Sequence, residues 1–261
     1  MNVHIPAIPV AKLSFGFGNA KLTELIGTFS LPAGHTCPSA KDCLSKANRE
    51  TGKITDGPET KFRCFAATGE TVFTSVRSAR WNNFELLKAA KTLQEMADLI
   101  QRSLPRGVAK VRIHVSGDFF NETYFKAWLN VALNNPAIIF YGYTKQLPYL
   151  VKFKKQIPAN FKLTSSKGGL HDALIAEHNL KYAEVVFSAE EARRKGLELD
   201  HDDSKAYGGD TSFALLIHGT QPKGTLAAEA WNGIKKLVGG YSPEKRKLQE
   251  SLSKKVELKV V

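Results

Sequence analysis

After residue 105 the chain repeats one pattern: a short apolar run, a turn, then a segment with helical periodicity. The apolar runs are VRIHV (Val111–Val115), IIFYGY (Ile138–Tyr143), FKLTSS (Phe161–Ser166), EVVFS (Glu184–Ser188) and FALLIH (Phe213–His218). Runs this short and this apolar read as strands buried on both faces. The helical segments are ETYFKAWLNVALNN behind a capping Asn121, PYLVKFKKQI, HDALIAEHN, AEEARRKG ending at Gly196, and AAEAWNGIKKLVGG. Upstream, LIGTFSL offers an earlier strand. Phe84–Ile100 places Phe84, Leu87, Ala90, Leu93, Ala97 and Ile100 on one stripe, predicting a single amphipathic helix. The expected fold is α/β: a parallel sheet with alternating helices. It is read as a partial or complete (β/α) barrel of the TIM type, with an open doubly wound sheet as the other arrangement. One domain is expected over residues 1–261, with residues 30–70 as a cysteine-bearing loop.

The strands end in Ser116-Gly117-Asp118, Tyr143-Thr144-Lys145, Thr164-Ser165-Ser166, Ser188 and His218-Gly219. Parallel α/β folds gather their sites at the carboxyl ends of strands. Gly117, Asp118, Thr144, Ser165 and Ser166 are therefore candidate cofactor-binding residues, and His218 and Lys145 candidate catalytic ones. Asp118, after a glycine, suits an amine or hydroxyl. Lys145 and Lys167 suit phosphate or carboxylate, and Gly168-Gly169 would let backbone N–H groups approach an anion.

All three cysteines, Cys37, Cys43 and Cys64, fall in the stretch SLPAGHTCPSAKDC…RCFAATGE. Their spacing is not that of a zinc finger. Three chemistries are open. The thiolates could hold a [4Fe–4S] cluster, which normally takes four cysteines, so that one iron stays available. They could bind zinc with His35 as a fourth ligand, or be unrelated free thiols. An odd, low cysteine count without a secretory leader points to a reducing cytoplasm. No run of 18 apolar residues exists, so no membrane span is expected.

The net charge of +12 is an invitation to polyanions. Lysines concentrate at Lys152, Lys154, Lys155, Lys162 and Lys167, and again, with Arg246, at Lys245, Lys247, Lys254, Lys255 and Lys259. Lys152, Lys154 and Lys155 are the candidate nucleic-acid face. Arg77, Arg80 and Trp81, ahead of the long helix, could touch nucleic acid or the cysteine loop, with Asn83 as the helix cap. In LDHDDSKAY, Asp200, His201, Asp202 and Asp203 could bind Mg²⁺ or form an acid–base pair.

The order of features, three cysteines, a helix, then Ser116-Gly117-Asp118, is similar to that of radical S-adenosylmethionine (radical SAM) enzymes. That resemblance implies a partial barrel, a [4Fe–4S] cluster on the cysteines and S-adenosylmethionine as cofactor. The family's usual C-x3-C-x2-C and Gly-Gly-Glu are replaced here by a wider spacing and Ser-Gly-Asp. FSLPAGHTCP, RCFAATGE, HVSGDFFNETYFKAW, FYGYTKQLPYL, LTSSKGG and LIHGTQPKG resemble the blocks of the phage "gene product 88" family. This second resemblance implies a phage source and a metal-type cysteine set, and supplies no substrate. The expectation is a phage-encoded iron–sulfur enzyme of the host cytoplasm, with a phage or host protein as a further partner. The alternative is a basic nucleic-acid-binding protein or metal-dependent nuclease of phage replication.

Overall fold

The computed structural model describes residues 11–18 and 26–238. The second basic concentration, from Lys245 onward, lies outside them, as does the end of the last predicted helix. A short β1 (Gly16–Phe17) precedes β2 (Ile26–Ser30), the strand expected in LIGTFSL. The cysteine region then folds as a hairpin, β3 (Ser45–Ala47) and β4 (Ile54–Asp56), followed by three helices: α1 (Phe65–Val72), α2 (Thr74–Ala89) and α3 (Leu93–Ser103). Alternation follows as β5 (Lys110–Ser116), α4 (Glu122–Asn134), β6 (Ile139–Thr144), α5 (Leu147–Lys152), β7 (Phe161–Ser166), α6 (Ala173–Glu177) and β8 (Tyr182–Val186). The chain continues with α7 (Ala189–Arg194), β9 (Glu198–Leu199), α8 (Ser204–Tyr207), β10 (Phe213–Leu216) and α9 (Leu226–Val238).

The main sheet has the order β1-β2-β5-β6-β7-β8-β10-β9. From β2 to β9 every pairing is parallel, and only β1 runs antiparallel. Among β2, β5, β6, β7, β8 and β10 each strand lies beside its predecessor, and the two-residue β9 is out of order at the edge, outside β10. A doubly wound sheet must reverse, so that arrangement is ruled out. The progression is that of a barrel, but among the described residues the edges β1 and β9 do not pair. The sheet is therefore a partial barrel and not a complete one.

Strand alternation sends Phe29, Val111, Ile113, Phe140 and Phe161 to one face, where α3 and α4 cover them with Met96, Ile100, Tyr124, Phe125 and Trp128. Each such burial contributes about 1.5–3 kcal/mol, and this face is the main core. The other face carries Ile26, Tyr141, Ala183 and Phe213, covered by Ala206 of α8. Here the sheet also buries charge. Arg112 meets Asp203 at 2.6 Å, and the hydroxyls of Tyr141 and Tyr143 lie 3.4 and 3.2 Å from the same carboxylate. Asp203, read from sequence as part of a metal-binding acidic loop, is thus committed to a residue of β5.

The predicted single helix over Phe84–Ile100 is two. Thr92 accepts from the Glu95 backbone N–H, and Glu95 reaches back to the backbone N–H of Thr92. This capping box starts α3 and overrides the apolar stripe. Asn83 is no cap either. It sits inside α2, buried, and its amide bonds Ser14 and the Ser30 carbonyl, tying the segment before β1 to the end of β2.

Candidate metal centre

The cysteine loop lies over the carboxyl ends of the parallel strands, and its seat can be followed bond by bond. Leu31 N–H donates to Ser116 O at 2.8 Å, joining the ends of β2 and β5. Between the partners Thr28/Arg112 and Ser30/Ser116, β5 advances four residues while β2 advances two. His114, at φ +61°, stands within this bulge. Gly117 follows at φ +88°, where a Cβ would come 2.6 Å from Thr36 Oγ1 and 2.7 Å from Leu31 Cβ. The loop and the strand end thus touch through the side chain that Gly117 lacks.

Residues 39–42 are stitched to the loop after β7. Ala40 bridges Gly169, Asp42 N–H donates to Gly168 O at 2.9 Å, and Leu170 N–H donates to Ser39 O at 3.0 Å. The N–H groups of Gly168 and Gly169 are taken by the Asp172 carboxylate at 2.8 and 2.9 Å. The glycine pair seats the cysteine loop, and does not present its amides to an anion.

Cys64 stands at the N-cap position of α1, without a side-chain capping hydrogen bond, and the backbone N–H groups of Ala66 and Ala67 lower its thiol pKa against burial. Cys43 packs against Phe62, Phe65 and Ile217, and Cys37 accepts from Gly34 N–H at 3.4 Å. All three cysteines are free and half-buried. Burial pushes all three thiols up, Cys64 to about 11, and each of Cys37 and Cys64 is opposed further by neighbouring cysteines. The three sulfurs therefore share one electrostatic neighbourhood, and Asp118 is in it. Thiols so placed stay protonated until a cation compensates the charge. Among the described residues no group of three or more His, Cys, Asp or Glu side chains stands set to hold a metal ion. His35, the suggested fourth zinc ligand, is turned to the Ala47 carbonyl at 3.0 Å and packs on Trp81.

Below the thiols, Asp118 is buried and already holds Thr144 Oγ1 at 2.7 Å, Lys145 N–H at 2.8 Å and Phe119 N–H at 2.8 Å. Burial raises its carboxyl against those three bonds. Thr144 also accepts from Gln146 N–H, whose side chain receives Ser39 Oγ at 3.0 Å. Asp118 and Thr144 thus brace β5 to β6 and, through Gln146, to the cysteine loop. Lys145 spends its ammonium on Ser166 O, Ser166 Oγ and Lys167 O, at 2.8–3.0 Å. It pins the end of β7. Ser165 is fully buried, with no protein partner for its hydroxyl. His218 lies on Phe65, next to Cys64, with ring centroids 3.6 Å apart. Gln221 ties His218 O to both the N–H and the carbonyl of Arg63, the residue before Cys64. Lys152 pairs with Glu122 at 2.6 Å. Lys154 and Lys155 are exposed in the 3₁₀ turn leading to β7, near the opposite ends of the strands.

The residue that sequence reasoning missed here is Glu70. Glu70 is fully buried and accepts from Ala33 N–H and Arg80 at 2.8 Å and from Ser116 at 3.3 Å. Arg77 is buried too, and donates to the carbonyls of Arg49, Glu50 and Glu70. These arginines brace the cysteine region; of the two roles expected for them, this is the one their bonds describe. Only the recurrence of Arg77 and Arg80 on α2, about one turn apart, carried a signal.

The profile of the family described as Gene product 88 matches residues 11–236. The chain belongs to the gene product 88 family. It is 32% identical over 138 residues to the Gene 88 protein of Mycobacterium phage L5, covering 49% of this chain and 51% of the relative. It is 30% identical over 156 residues to the Gene 88 protein of Mycobacterium phage D29, covering 56% and 58%. The chain thus spans about half the length of the relatives it matches. Both are bacteriophage proteins, as the sequence blocks implied. No solved structure matches. No helix among the described residues is long and apolar enough to cross a membrane.

Proposed function

We propose that this member of the gene product 88 family is an iron–sulfur enzyme of the infected cell's cytoplasm, with Cys37, Cys43 and Cys64 as the ligands of a [4Fe–4S] cluster. The observation that carries the reading is three unpaired, half-buried thiols in one loop, close enough to act on one another electrostatically. A donor set of three soft thiolates fits such a cluster. A cubane takes one thiolate per iron, so its ligands need not crowd around a single point as a mononuclear site requires. When bound, it would supply an iron open to a substrate or to S-adenosylmethionine, and redox chemistry at that iron. The chain's own part is positional. Cys64 stands at the start of α1, Asp118 holds β5, β6 and Lys145 N–H in one frame, and Phe65 and His218 pack together beside Cys64. Unpaired thiols also suit a reducing compartment.

Anaerobic purification and reconstitution test this directly. Brown protein with broad absorbance near 400 nm, about four irons per chain and loss of colour in Cys37→Ser, Cys43→Ser and Cys64→Ser is expected. Colourless protein with stoichiometric zinc overturns it. Reductive cleavage of S-adenosylmethionine by the brown protein then separates a radical enzyme from a redox centre.

A further inference from the structure

At the other end of the strands the sheet splits. β6 pairs with β7 from Phe161 onward, but β8 joins β7 only at Ser165 and Ser166. Beside the first half of β7 the place of a neighbouring strand is taken by side chains from two directions. Leu150 and Ile157 approach from α5 and the turn after it, and Ala206 and Tyr207 from α8. Between them lies a groove of about 430 Å³, within the size range of small-molecule sites.

Its charge is one-sided. Lys154, Lys162 and Lys181 line it against a single acid, Asp210. Lys181 is committed to the carbonyls of Ala206 and Gly209, at 3.4 and 2.9 Å, and to that of Lys205; it fixes α8 as a wall. Lys154 and Lys162 are exposed. Lys110 stands over the Tyr207 ring at 4.8 Å and adds to the same field. A cleft of mixed lining, with Tyr207 and Ile157 beside two exposed ammonium groups, suits a ligand with an anionic end and a flat apolar body. An extended strand of nucleic acid would need a continuous basic track, whereas this groove is short.

We propose that the groove at the β7–β8 split binds a phosphorylated small molecule of mononucleotide size, with Lys154 and Lys162 on the phosphate and the body lying against Tyr207 and Ile157. This site is independent of the cysteine loop and does not rest on the cluster.

The test is calorimetric titration and thermal shift of the full chain with AMP, adenosine, inorganic phosphate and an oligothymidylate. AMP is expected to bind saturably at one site and raise the melting temperature, with adenosine and phosphate each weaker by about tenfold or more. Lys154→Glu with Lys162→Glu, both on the surface, is expected to weaken AMP by about tenfold or more, with an unchanged circular dichroism spectrum. Absence of AMP binding, equal binding of phosphate, or AMP affinity unaltered by the charge reversal overturns the proposal. Tighter binding of the oligothymidylate, lost in the same variant, also overturns it in favour of a strand-binding surface.

Discussion

Asp203→Asn removes a charge from the covered face of the sheet while changing almost nothing else. Asn has the shape of Asp, and it tolerates the left-handed backbone that Asp203 adopts at φ +65°. Asp203 is fully buried and its carboxylate lies 2.6 Å from Arg112, whose side chain is 16% exposed. Neutralising one member of a buried pair leaves the other without its counter-charge, at a cost of about 3–5 kcal/mol. The residual exposure of Arg112 lets water share the load, so the lower end, about 3 kcal/mol, is expected. For a chain of this size that lowers Tm by roughly 6–12 °C. Guanidinium unfolding followed by circular dichroism measures it. Arg112→Met added to Asp203→Asn should recover most of the loss, because the stranded guanidinium is then gone. A loss below about 1 kcal/mol, the value of an exposed ion pair, would refute the reasoning.

Gly117→Ala brings a Cβ against Thr36 and Leu31 at a backbone angle of φ +88°. Thr36 is fully buried and cannot step aside, so a loss of about 1–3 kcal/mol in chemical denaturation is expected. His114 gives a pH signature. Burial lowers its pKa to about 3 from 6.5, so between those values the unfolded chain binds the extra proton. Its contribution is complete above about pH 6.5 and is lost as pH falls towards 3, by up to about 4–5 kcal/mol. His114→Asn, suited to φ +61°, should flatten that part of the stability–pH curve.

The parallel sheet was legible because its strands are short, apolar and regularly spaced, and the polar strand ends do gather under the cysteines. What was hidden depended on partners far away in sequence. Asp203 looked like a metal ligand while Arg112 could not be seen as its neighbour. Gly168-Gly169 looked like an anion cradle until Asp172 occupied the amides and the cysteine loop the remaining space. The offset between β7 and β8 leaves no local trace, since it is a matter of register between two strands. The break between α2 and α3, by contrast, was readable. Thr92 and Glu95 spell a capping box, and the apolar stripe that runs through it carries less information than the cap.

The stitching of residues 39–42 to Gly168–Leu170 has a consequence for how the protein is made. The cysteines leave the ribosome well before the strands that seat them. Translation at 5–20 residues per second puts on the order of ten seconds between Cys43 and Gly168. Throughout that interval the three thiols have no floor beneath them, and iron or an oxidant meets an unfolded loop. The seat of the cysteine loop is therefore completed late, after synthesis of the third parallel crossover. A chain truncated before Gly168 would carry every cysteine and lack the segment to which their loop is stitched.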